Sequence, residues 1–140
     1  MATVIAQKRT AAMQESLEEI RQQIGNDDAT TIAALRQLVE AFVSERQWHS
    51  FHSPKNLSMA LAIEASELME HFQWIDVEES RQLAADPEAS EKVGEELADV
   101  LCYALALANA MKLDISETVA KKMAKNVQKY PAAANRQAIE

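Results

Sequence analysis

Two glycines and three prolines in 140 residues leave few turn-forming positions. The strong helix formers Ala, Leu, Glu, Gln, Lys and Met fill most of the intervening length. This balance excludes β-sandwiches and barrels, which need turn signals every few residues, and predicts an all-α fold. Cysteine occurs once, at Cys102, so no intramolecular disulfide can form. Within its apolar run it reads as a buried, reduced thiol of the kind kept in the cytosol. No apolar stretch reaches the roughly 18 residues of a membrane span, and the opening MATVIAQKRTAAMQ lacks the apolar centre of a secretory signal. A soluble, cytoplasmic protein with no membrane partner is expected.

Basic residues are also in deficit, with 14 Lys and Arg against 22 Asp and Glu and a net charge of -8. Phosphate-backbone binding needs clustered cations, so a general nucleic-acid partner is excluded. The deficit is local. Residues 64–99 hold 12 acids against only Arg81 and Lys92, so this window carries -10 and the remainder +2. An acidity so concentrated asks for a local cause.

The length and 48% apolar content fit one domain over residues 1–140. Periodicity predicts a helix over about Thr10–Ile24 ending at Gly25, and a second over about Ile32–Trp48 after a Thr or Asp cap. Ser53 and Pro54 open a third helix reaching about Trp74. A short helix is expected within IDVEESRQLAADPEAS, then a long one over about Glu88–Met111. The second half of that helix, VLCYALALANAM, is apolar nearly all round, which predicts burial on most sides, in a bundle or against another subunit. Ser116 is the expected cap of a last helix stopped by Pro131, and the tail AAANRQAIE is expected to fray.

The third helix raises the central question. At about 100° per residue, Leu57, Leu61, Leu68, Phe72 and Ile75 share one arc, with Glu64 at its edge and Glu67 flanked beyond by Ala60, Ile63 and Trp74. Glu70 turns toward the polar face and reads as a solvated residue. The long helix repeats the arrangement, with Glu96 and Asp99 beside Val93, Val100, Tyr103 and Leu107. A single Glu-x-x-Glu is ordinary surface decoration. Two such pairs lie on apolar arcs with 28 residues between them; if the two helices pack antiparallel, four carboxylates converge where their repulsion needs a cation. All-oxygen ligands select Mg²⁺, Mn²⁺ or Ca²⁺. A di-iron centre would need Glu-x-x-His pairs, and neither Glu64 nor Glu67 has histidine at that spacing. Because Mg²⁺ keeps positions for water and phosphate oxygens, a phosphate-bearing substrate is implied.

The last helix carries the opposite charge. Lys122 and Asn126 share one face, Lys125, Lys129 and Tyr130 lie close by, and no acid occurs between Thr118 and Ile139. This can hold phosphates, or be a solvated face that also favours the helix C-terminus.

Taken in order, FHSPKNLSMALAIEASELMEHFQW, EELADVLCYALALA and KKMAKNVQKYP, with the two acidic pairs, resemble the all-α nucleotide pyrophosphohydrolases of the MazG-like superfamily, and within it the dCTP pyrophosphatase branch. The resemblance covers residues 32–131, leaving the N-terminal helix and the tail peripheral. It implies a four-helix core completed by oligomerisation as a dimer or tetramer. It also implies hydrolysis of a nucleoside triphosphate between the α- and β-phosphates, with Mg²⁺ (or Mn²⁺ as substitute) held by Glu64, Glu67, Glu96 and Asp99. The matching positions for the base are Trp48, Phe51, His52, Trp74 and Tyr103, and those for the phosphates are Lys122, Asn126 and Tyr130. Ordinary core packing is the plain alternative for Phe51 and Tyr103, and helix capping for His52. Some relatives preferring dCTP carry a histidine where this chain has Val39, which leaves dUTP or a modified pyrimidine open as substrate. A metal-stabilised helical interaction module is the non-catalytic alternative.

Overall fold

The structure, a computed structural model, describes residues 15–131. The first turn of the expected N-terminal helix and the tail lie outside these residues. Six α-helices and two short 3₁₀ turns make up the described chain, which contains no strand. Helix α1 (Leu17–Gln23) starts at a reciprocal cap: the Ser16 hydroxyl accepts the Glu19 N–H at 3.2 Å, and the Glu19 carboxylate accepts the Ser16 N–H at 2.8 Å. Helix α2 (Ile32–Glu45) is capped by Thr31. It stops three residues short of Trp48, because Gln47 takes a left-handed conformation (φ 57°) that ends the helical path. Trp48–Ser50 then forms a 3₁₀ turn.

Helix α3 (Pro54–Glu70) begins as expected, with Ser53 accepting the Asn56 N–H and proline in the first turn. It ends before Trp74, with the chain turning over residues 71–74. Helix α4 (Val77–Gln82) is the expected short helix, and α5 (Pro87–Ala110) the long one, capped by Asp86. Helix α6 (Ile115–Lys129) is capped by Asp114 rather than Ser116. The Asp114 carboxylate reaches the Glu117 N–H at 2.8 Å, and a charged acceptor at that position also favours the positive end of the helix dipole.

Helix α3 packs along α5, α2 crosses α5, and α1 rests on α2. Ile20, Val43, Leu57, Leu105, Ala106 and Ala108 form the buried apolar core. Leu57 is the most deeply enclosed large side chain, at 2% exposure; burial of such a side chain contributes about 1.5–3 kcal/mol. A reciprocal pair locks α2 onto the end of α5: Arg36 Nε donates to Asn109 Oδ1 at 2.8 Å, and Asn109 Nδ2 donates to the Arg36 carbonyl at 3.0 Å.

The long helix departs from its expected burial. Residues 103–109 are buried or half-buried, yet Leu97, Leu101 and Met111 are about half exposed. Cys102, expected buried, is an exposed free thiol, because the packing that encloses Leu105–Ala108 does not extend around this earlier turn. Partial burial and the nearby Asp99 charge still push the thiol pKa up, which lowers its reactivity. Among the described residues no helix is long and apolar enough to cross a membrane.

Candidate functional site

The packing of α3 on α5 brings carboxylates from both helices to one place. One oxygen each from Glu64, Glu96 and Asp99 lies within 4.8 Å of the others. Glu64 and Glu96 are half-buried and Asp99 is exposed. Glu67 is exposed and lies outside this tight group, although its charge raises the Glu64 pKa ahead of those of Asp99 and Glu96. The Glu64 pKa is raised first by burial and then by the charges of Glu67, Asp99 and Glu96. No cationic side chain is paired with the trio among the described residues: the ion pairs there involve other acids.

These dimensions suit a hard cation. Opposed ligands on one Ca²⁺ stand roughly 4.6–5.2 Å apart and on one Mg²⁺ about 4.1 Å, from metal–oxygen distances of about 2.3–2.6 Å and 2.0–2.1 Å. A group spanning at most 4.8 Å thus already matches the span across Ca²⁺ and closes by up to about 0.7 Å to match that across Mg²⁺. With three oxygen ligands and no nitrogen or sulfur, the donor set fits Mg²⁺, Mn²⁺ or Ca²⁺.

Asp99, Tyr103, Ala106 and Ala110 follow one another along one face of α5. Tyr103 sits within the field of the acids: burial, then Glu64 and Asp99, raise its phenol pKa. Seven residues beyond Asp99, about 10 Å along the helix, a cavity of about 180 Å³ opens beside Ala106 and Ala110, walled by Val39, Val43 and His52. Trp48 meets Phe42 edge-on at 5.7 Å and lies tilted against His52 at 6.2 Å. Arg46 stacks over the other ring of that corner, 3.7 Å from the Phe42 centroid. Of the aromatic positions singled out in the sequence, Trp48 and His52 come together, Tyr103 borders the acids, and Phe51 and Trp74 stand out at 67% and 87% exposure.

Lys122, Asn126 and Tyr130 are not brought to the acids by contacts within this chain. Helix α6 makes only marginal contact with the other helices, and its polar contacts are local: Lys121 pairs with Glu117 at 2.6 Å, Asn126 Nδ2 points to Met123 Sδ at 3.8 Å, and Lys129 lies over the Tyr130 ring. Its apolar side chains Val119, Met123 and Val127 are all more than half exposed.

Sequence reasoning overlooked Glu40, Ser44, His49 and Asn109. The first two are four residues apart on α2, a spacing that places them on one face, but nothing in the sequence ties that face to His49.

A sequence profile of the MazG-like family matches residues 59–139, the span holding most of α3, both acidic pairs, α5 and α6. The chain belongs to the MazG-like family. Bovine dCTP pyrophosphatase 1 is 40% identical over 106 residues, which cover 76% of this chain and 63% of the bovine protein. Human dCTP pyrophosphatase 1 is 37% identical over 125 residues, covering 81% and 74% respectively. Among solved structures, a pyrophosphatase from Archaeoglobus fulgidus superposes with a TM-score of 0.67 at 35% identity, over 77% of this chain and 98% of that one. The chain thus spans a little under two thirds of the length of the bovine relative. The MazG-like assignment accounts for an all-helical fold whose acidic window is concentrated on two packed helices.

Proposed function

We propose that this MazG-like protein is a nucleoside triphosphate pyrophosphohydrolase that converts dCTP, or a modified pyrimidine deoxynucleotide, to the monophosphate and pyrophosphate, clearing unwanted nucleotides. The observation that carries the proposal is the meeting of Glu64, Glu96 and Asp99 from two helices, about 10 Å along α5 from a cavity walled in part by His52, against which Trp48 lies. The names of the bovine and human relatives support the same substrate class.

Glu64, Glu96 and Asp99, with Glu67 one turn from Glu64, are assigned to hold Mg²⁺, with Mn²⁺ as a substitute. When bound, the ion neutralises phosphate charge and lowers the pKa of an attacking water. The carboxylates keep the ion against the triphosphate, and one of them takes the proton from water as it attacks phosphorus. The bond to the bridging oxygen then breaks, and pyrophosphate leaves with the bonding electrons. Tyr103, between the acids and the cavity, is assigned to the sugar. Trp48 and His52 stack on the base, a contact worth roughly 1–3 kcal/mol, and Phe51 and Trp74 close over it from their exposed positions.

Lys122, Asn126 and Tyr130 are assigned to the phosphates in a homo-oligomer, a dimer or tetramer. The uncovered apolar sides of α6 and of Leu97 and Leu101 on α5 support that assembly. The test is a panel of deoxynucleoside triphosphates incubated with Mg²⁺, with pyrophosphate and orthophosphate measured separately. Monophosphate and pyrophosphate in equal amounts are expected, abolished by Asp99→Asn. Direct release of orthophosphate, or full turnover by that variant, refutes the proposal.

A further inference from the structure

The cavity wall facing α2 carries a polar cluster that the acidic centre does not use. Glu40 and His49 both line the cavity, and Ser44 joins them. Its hydroxyl donates to Glu40 Oε1 at 3.3 Å and lies 3.0 Å from His49 Nε2, which is itself 3.2 Å from Glu40 Oε1. A seryl hydroxyl has one proton. With that proton directed to Glu40, Ser44 accepts from His49, so Nε2 carries a hydrogen, and both contacts fall on one carboxylate oxygen, Oε1, leaving Oε2 of Glu40 without a partner in the cluster. The same connectivity excludes a nucleophilic relay, because Ser44 and Glu40 approach the same ring nitrogen instead of opposite ones.

We infer that the Glu40–Ser44–His49 cluster is the specificity-determining wall of the base cavity, selecting a pyrimidine with an exocyclic amino group at ring position 4 over one with a carbonyl there. The cluster offers an acceptor, the free carboxylate oxygen of Glu40. The neighbouring amide of Asn109, which also lines the cavity, is held by Arg36 through its oxygen and one N–H. An amino group satisfies that acceptor, whereas a carbonyl oxygen in the same place faces its lone pairs. The cavity volume of about 180 Å³ is below the roughly 300–1,000 Å³ of pockets that enclose a whole ligand, and suits a single ring whose sugar and phosphates extend outside it. Val39 contributes only an apolar surface, so the hydrogen-bonding readout falls to the adjacent residue on α2 and to the 3₁₀ turn.

The inference rests on the nucleotide-binding reading above, and its test is separable from turnover. Binding of dCMP and dUMP to the full-length protein with saturating Mg²⁺ is measured by NMR titration, for the wild type, Glu40→Gln, His49→Phe and the control Glu45→Gln. The wild type is expected to favour dCMP, and both cluster variants to lose about tenfold of that ratio; the control, paired with Arg46 away from the cavity, keeps it. Circular dichroism checks that the helices remain. A wild type indifferent between the two nucleotides, one that binds neither, or a ratio unchanged in both cluster variants overturns the inference. A shifted ratio in a protein that cleaves no triphosphate refutes the hydrolase proposal instead.

Discussion

Replacing Glu64 by glutamine should move stability and metal response in opposite directions. In metal-free protein the Glu64 carboxylate stands within 4.8 Å of Glu96 and Asp99 oxygens. At that separation each like-charge pair costs about 0.9 kcal/mol at the dielectric of water and roughly 3.5 kcal/mol at an effective value near 20. The group opens to solvent, so the lower figure governs, and screening reduces it further. Removing these repulsions, with that of Glu67, should therefore stabilise the metal-free protein by about 1–2 kcal/mol, or roughly 3–6 °C in Tm for a domain of this size. The sign depends on pH. Because the Glu64 pKa is raised in the folded state, its contribution is fully favourable below the ordinary glutamate value and is lost as pH rises through the folded one. The advantage of the variant in EDTA should thus be largest near neutrality and close as pH falls toward the ordinary glutamate range. Mg²⁺ should invert the ranking: the wild type gains about 2.7 kcal/mol at a hundredfold excess over Kd, whereas the variant, lacking a ligand, gains far less. Differential scanning fluorimetry in EDTA and in Mg²⁺, across pH, reads all of this. A variant less stable than wild type in EDTA at neutral pH, or one with an undiminished Mg²⁺ shift, would refute the reasoning.

Other perturbations test the frame around the site. Leu57→Ala, at the most enclosed large side chain, on α3, should lower unfolding free energy by about 2–5 kcal/mol in urea melts. Asn109→Ala leaves the Arg36 carbonyl and guanidinium without their partner and should cost about 1–3 kcal/mol in the same measurement. Glu70→Gln lies outside the carboxylate group and should leave turnover within about twofold, consistent with the small effects of most surface substitutions; a dead variant would show that the functional face is misplaced. Val127→Glu, on the exposed apolar side of α6, should reduce the oligomer mass in light scattering, and an unchanged mass would remove that face from the interface.

The helices were legible because their signals are local. Ser53 with Pro54, Asp86 with Pro87 and the Ser16–Glu19 cap act within one turn, and the 3.6-residue period marks the faces of α2 and α3. The ends were less legible. Glu45 is followed by a left-handed Gln47 that no glycine announces, and the cap of α6 falls to Asp114 where serine was equally plausible in the sequence.

By itself the sequence determined that the chain is helical, that its acids gather between residues 64 and 99, and that two pairs lie at a spacing suited to a shared cation, since all three follow from composition and helical geometry. Only the tertiary structure decided that Glu64, Glu96 and Asp99 form the tight group while Glu67 stays outside it, that Cys102 faces solvent, and that Glu40 and His49 meet through Ser44. Those outcomes depend on how far one helix extends along its neighbour and on where a turn returns the chain, quantities that helical period leaves open because it specifies direction around an axis and not position in space.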